Sequence, residues 1–140
     1  MKALSLTQPW AQLVVDGRKR YETRSWQAKP WEFGKPLAIH ASKGWLIEHQ
    51  HLAGQWGYTV DTLPRGAIVG VVRLISCLET RVLKDLSEEE REYGDFGPNR
   101  FGWQLDLMFK LEEPIVCSGA LNLWDVPREI EAQLVKAVNA

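Results

Sequence analysis

Ten residues, Gly17 to Trp26, hold four cations, one carboxylate and two aromatic rings. Within them Lys19, Glu22 and Arg24 offer a compact set of chemistries. A guanidinium grips a phosphate or a carboxylate in a planar fork. An amine whose pKa is lowered by burial can move a proton, and a neighbouring carboxylate can receive one. From Tyr21 to Trp26 the residues alternate as a strand. That parity puts Glu22, Arg24 and Trp26 on one face and Tyr21, Thr23 and Ser25 on the other. Neighbours on one face of a strand lie about 7 Å apart. A carboxylate, a guanidinium and an indole in a row suit a ligand that is anionic at one end and flat at the other, such as a nucleotide. The structural alternative is a solvated strand with one exposed ion pair, which contributes little.

Three further groups extend the candidate site. His40-Ala41-Ser42-Lys43 closes an apolar run, with His40 a candidate acid or base near neutral pH and Lys43 a candidate phosphate contact. The loop from Tyr93 to Trp103 carries three glycines and a proline, which allow a ligand to approach the backbone closely, and Asp95 and Arg100 place opposite charges at its two ends. Trp10, Trp26, Trp45 and Trp103 are candidate stacking surfaces for a base, although Trp is also an efficient core residue.

The elements that must position these groups follow from hydrophobic periodicity. Leu4 and Leu6 alternate in a short strand. Thr7 or Gln8 caps a helix with Pro9 at its first position, and Gly17 ends it. Leu37–Ala41 reads as a buried strand, Trp45–Ala53 as a helix, and Ala67–Cys77 as a long strand rich in Val and Ile. Leu86–Tyr93 is a short acidic helix with Ser87 at the cap and Glu90 at the capping-box position. Trp103–Leu111 and Leu121–Trp124 are strands, and Pro127–Val138 is a closing amphipathic helix. No repeat, linker or low-complexity tract divides residues 1–140, so a single α+β domain is expected: a small mixed β-barrel of five to six strands with peripheral helices.

Composition narrows the function classes. The net charge is −1, which excludes a polycation that coats nucleic acid indiscriminately. The charge is nevertheless uneven. Residues 1–43 hold eight Lys/Arg and three Asp/Glu, whereas residues 79–95 hold three and seven. A basic face and a selective binder fit that distribution. Cys77 and Cys117 lie 40 residues apart in apolar stretches and read as reduced, buried thiols. No metal-ligand spacing is present, so no metal or cofactor is expected. Without a leader-like run or a stretch long enough to span a bilayer, the chain is expected to be cytoplasmic and independent of membranes.

Two segments together resemble a known family. Ser5-Leu6-x-Gln8-Pro9-Trp10-Ala11, followed by Gly17-x-Lys19-x-x-Glu22-x-Arg24-x-Trp26, is similar to the signature of the ASCH domain (activating signal cointegrator-1 homology), a relative of the PUA fold. Ile39–Lys43, Tyr93–Phe96, Arg100–Trp103 and Gly119–Trp124 resemble later blocks of its longer bacterial members. The resemblance implies a PUA-like barrel with a cleft between barrel and helices, and binding of RNA or DNA. It also brings activities found among members: metal-independent ribonuclease, or hydrolysis of N4-acetylcytidine by a Lys, a Thr three residues later and a downstream Glu. Carried over, Lys19 matches that Lys, Glu22 stands in the Thr position, and Glu92 or Asp95 is the nearest downstream acid. The site set is then Lys19, Glu22 and His40 for chemistry. Trp10, Arg24, Trp26, Lys43, Asp95, Arg100 and Trp103 bind single-stranded RNA or a modified nucleoside. In a ribonuclease, Lys19 would stabilise the phosphate transition state while Glu22 or His40 takes the 2′-hydroxyl proton. A non-catalytic adaptor that docks partners through Pro127–Val138 is the remaining alternative.

Overall fold

The Ile- and Val-rich run near the middle of the chain becomes the centre of the sheet. In a computed structural model, which describes residues 1–139, strand β4 spans Ala67–Glu79 and pairs on both sides. Its first six residues are buried on both faces, as a central strand requires. The other strands are β1 (Lys2–Leu6), β2 (Tyr21–Arg24), β3 (Pro36–Ala41), β5 (Phe101–Val116) and β6 (Leu123–Asp125), in the order β2-β5-β4-β3-β1-β6. Only the β1–β3 pair is parallel. Register shifts break the ladder at Ile39/His40 and at three points along β4–β5. Such bulges bend strands and increase twist. The sheet curls so far that Arg24, on the outermost strand β2, donates from Nη2 to the Ser5 carbonyl of β1 at 3.1 Å, four strands away in the order. That closure builds the site.

Helix α1 (Trp10–Val15) fills the curl. Leu13, Val14 and Val15 are buried, and Val14 and Val15 pack with Leu4, Ile39, Leu74, Trp103 and Leu105. Gly70 on β4 admits the helix: a Cβ there would lie 2.6 Å from Val15 Cγ1 and 2.8 Å from the Phe109 carbonyl. Gln8 meets the expected capping role from one position ahead of Pro9: its buried side chain accepts from the first-turn Gln12 amide through Oε1 at 2.9 Å and donates to the Pro64 carbonyl, so it also ties α1 to the chain ahead of β4.

The opposite face of the sheet holds a second cluster of Ala3, Ala38, Ile68, Val71, Val126 and Leu134, closed by α4 (Arg128–Val138). The amphipathicity of this last helix is therefore used inside the fold. Helix α2 (Ile47–Gln55) and the short α3 (Glu88–Tyr93) flank the curl. Ser87 caps α3 as expected, its Oγ accepting from the Glu90 amide at 3.0 Å. No helix among the described residues is long and apolar enough to cross a membrane.

Several boundaries shift by a few residues from the sequence reading, and two of the shifts bear on the site. Strand β2 stops at Arg24, because its partner β5 begins at Phe101, opposite Arg24. Strand β5 runs on to Val116, because β4 continues to pair with it as far as Ala67.

Candidate functional site

Alternation along β2 does what its parity requires: Glu22 and Arg24 share a face, with Arg24 Nε donating to Glu22 Oε2 at 2.9 Å. Lys19 enters from behind. Its side chain is buried, its amine donates to the Tyr21 carbonyl, and Nζ lies 3.7 Å from Glu22 Oε1. Burial pushes the Lys19 pKa below its ordinary value, while the carboxylates of Glu22 and Glu90 pull the other way. The three residues thus form a chain from the interior to the surface: amine, carboxylate, guanidinium, then the Ser5 carbonyl.

Glu90 went unnoticed as part of this unit. Its buried carboxylate accepts from the Arg20 amide at 2.9 Å and the Tyr21 amide at 3.3 Å, pinning the start of β2. The available signal was its capping-box position; the carboxylate turns to a neighbouring strand rather than to its own helix.

The depressed Lys19 pKa sets a sign for stability. Between the native value and the ordinary 10.5, the unfolded chain binds more protons at this site than the native chain does. Stability contributed through Lys19 therefore rises with pH across that window and levels off above it. Denaturant midpoints measured from pH 7 to 10 are expected to show wild type gaining on Lys19→Met as pH rises. Parallel pH curves for the two proteins would contradict the burial of this amine.

Two cavities meet at Arg24. The larger, about 900 Å³, is lined by Arg24, His40, Lys43, Arg65 and the segment from Val116 to Asn122, with no Asp or Glu on its wall. The smaller, about 400 Å³, is lined by Trp10, Glu22, Glu92, Tyr93 and Asp95. Ser5, Thr7 and Arg24 belong to both. One lobe is therefore cationic and the other carries carboxylates and aromatic rings, with a single arginine on the shared wall. Arg65 is the cation that sequence patterning missed. It sits in an exposed turn ahead of β4, where no periodicity marks it; its guanidinium lies over the Trp45 ring at 5.3 Å and donates to the Lys43 carbonyl at 2.5 Å.

His40 lies buried at the floor of the larger lobe. Nε2 is 2.8 Å from the Cys117 carbonyl and Nδ1 is 3.0 Å from Ser5 Oγ. A carbonyl only accepts, so this arrangement assigns the neutral ring's proton to Nε2 and makes Ser5 the donor to Nδ1. Trp124 Nε1 in turn donates to Ser5 Oγ at 3.1 Å, and its ring meets the imidazole edge-on at 5.3 Å. Both ring nitrogens are thereby engaged within the fold.

The remaining candidates divide. Trp10 forms part of the smaller lobe, held edge-on by His49 at 4.8 Å and Trp56 at 6.1 Å. Asp95 also lines that lobe and pairs with Arg100 at 3.4 Å. Arg100 donates to the Thr23 carbonyl and lines neither lobe, so it braces the loop. Lys19 likewise lines neither lobe; it lines a separate cavity of about 80 Å³. The expectation that Trp103 faces a ligand is corrected. Trp103 is fully buried, Trp26 packs edge-on against it at 4.7 Å, and Trp103 Nε1 donates to the Trp26 carbonyl. With β2 ending at Arg24, Trp26 lies beyond the strand, and its half-buried ring packs against the edge of the core. Among the described residues no group of three or more His, Cys, Asp or Glu is placed to hold a metal.

A curled six-stranded sheet closed to a half-barrel, with a cleft beside its first strand, defines a PUA-like domain. Residues 4–119 match the family model of the ASCH domain, and the chain belongs to that family, whose members are generally RNA-binding. Activating signal cointegrator 1 of Homo sapiens is 36% identical over 97 residues, a match covering 61% of this chain and 16% of that protein. Its Mus musculus counterpart is 32% identical over 96 residues with the same coverage. The chain thus spans about a sixth of these relatives. The crystal structure of ASCH from Zymomonas mobilis superposes with a TM-score of 0.60 at 18% identity, covering 96% of this chain and 93% of that one. A single-residue variant of the same protein gives 0.60 with 96% of each chain covered. At that identity the likeness speaks for the fold alone.

Proposed function

We propose that this domain binds single-stranded RNA, or a modified nucleotide, in the double-lobed cleft. One observation carries the reading: Arg24, Lys43 and Arg65 line a single cavity on whose wall, among the described residues, no carboxylate side chain lies. Arg24 and Arg65 offer planar forks to phosphate, and Lys43 adds a mobile point charge. A net charge of −1 confines attraction to that patch rather than spreading it over the surface. Single strands suit the site because they present both backbone and unstacked bases to a cleft. Anisotropy titrations of a fluorescent RNA octamer test this. Three phosphate contacts predict a slope of log affinity against log salt of about −2, and Lys43→Ala is expected to flatten it by about 0.7. Salt-independent binding, or an unchanged slope in the variant, would overturn the reading.

A second reading, hydrolysis in the smaller lobe, rests on the desolvated Lys19 amine beside Glu22. Glu22 reaches that lobe and Lys19 does not, so Glu22 is the group that would take a proton from water or from a 2′-hydroxyl, with Lys19 stabilising its charge. RNA cleavage without added metal would mark a ribonuclease, and acetate release from N4-acetylcytidine an amidohydrolase. Either activity persisting undiminished in Glu22→Gln would exclude this assignment.

A further inference from the structure

We infer that Val116 and Leu121 form an aliphatic platform on which a nucleobase of the bound RNA lies. The inference rests on the RNA reading above and assigns the base to different lining residues from those that hold the phosphates. Val116 is 83% exposed and Leu121 88%, the two most exposed large hydrophobic side chains among the described residues. Both line the larger lobe together with Arg24, Lys43 and Arg65.

The segment bearing them is held in place. Val116 ends β5 in register with Ala67, and the Cys117 amide donates to the Gly66 carbonyl at 3.1 Å. His40 Nε2 takes the Cys117 carbonyl at 2.8 Å. Gly119 then passes so close over the sheet that a Cβ there would lie 2.6 Å from both His40 Cε1 and Ser5 Oγ. On this account His40 is a positioning residue for the wall. With the backbone between them anchored, covering the two side chains costs rotamer freedom without ordering that backbone, so their burial contributes to affinity.

Charge complementarity selects the occupant. It must be anionic toward the cations and apolar toward Val116 and Leu121, and the hydroxyls of Ser5, Thr7, Ser42 and Ser118 in the same lining suit a sugar and the polar edges of a base. Two aliphatic side chains cover about the face of one base, which is too little for a lipid chain.

The test compares wild type with Val116→Ser/Leu121→Ser on three probes: an RNA octamer, an abasic octamer with the same backbone, and phosphatidylserine vesicles. Both side chains are solvent-exposed, so the variant is expected to melt with wild type. Wild type is expected to prefer RNA over the abasic strand by about tenfold, the order given by removing one apolar face from water. The variant is expected to lose that preference while keeping its abasic affinity and salt slope. RNA affinity equal to wild type in the variant overturns the platform and leaves the RNA reading standing. Wild type that binds vesicles more tightly than RNA, or that binds neither oligomer, overturns both.

Discussion

Trp103→Ala is expected to lower the unfolding free energy by about 3–5 kcal/mol, the usual cost of deleting a large aromatic from a core. For a domain of this size that is a fall in Tm of roughly 10–20 °C. Trp103 is fully buried on β5, meets the Trp26 ring edge-on, and donates through Nε1 to the Trp26 carbonyl at 3.3 Å. Truncation would leave a void between α1 and the sheet and free Trp26 from its contact. The same variant, assayed below its own Tm, is expected to bind RNA within about threefold of wild type, because Trp103 lines neither lobe of the cleft. Thermal denaturation followed by tryptophan fluorescence, with anisotropy on the same preparation, separates the two roles. An unchanged Tm with binding abolished would mean that Trp103 stacks a base after all.

The second large effect is on affinity. Arg24→Ala is expected to weaken RNA binding by about 10- to 100-fold, the range for losing a hydrogen-bonded charge. Arg24 stands on the wall shared by the two lobes, and its Nε and Nη2 are already oriented by Glu22 and the Ser5 carbonyl. Preorganisation of this kind reduces the entropy lost when the guanidinium engages a ligand. Arg24→Lys is expected to recover the salt slope but only part of the affinity, since an ammonium keeps the charge and loses the fork. Affinity for both variants within twofold of wild type would remove Arg24 from the site.

Local signals in the sequence carried much of this arrangement. Alternation from Tyr21 placed Glu22 and Arg24 together, and the structure pairs them. The Ile/Val run of β4, the Ser87 cap and the amphipathic closing helix lie where periodicity and capping put them. What local pattern could not show is long-range closure. Nothing in residues 21–24 says that they pair with residues 101–104, or that the curl brings Arg24 onto the carbonyl of Ser5. For the same reason the packing of Trp26 against Trp103 was hidden, because it depends on where β5 starts. Arg65 and Glu90 were illegible for a different reason. One sits in a turn and the other on a helix end, and each acts on an element distant in sequence. The orientation of Lys19 also follows from the closure, which places Glu22 between its amine and the cleft.

The central claim, that RNA enters the cleft on whose shared wall Arg24 stands, is tested most directly by titrating isotope-labelled protein with an RNA octamer and following backbone amide shifts. The account predicts that the largest changes fall on Thr7, Arg24, Ser42, Lys43, Gly66 and residues 118–121, all on the wall of the larger lobe. Changes confined to α4, which packs on the opposite face of the sheet, or no changes at RNA concentrations that saturate the anisotropy signal, would contradict it.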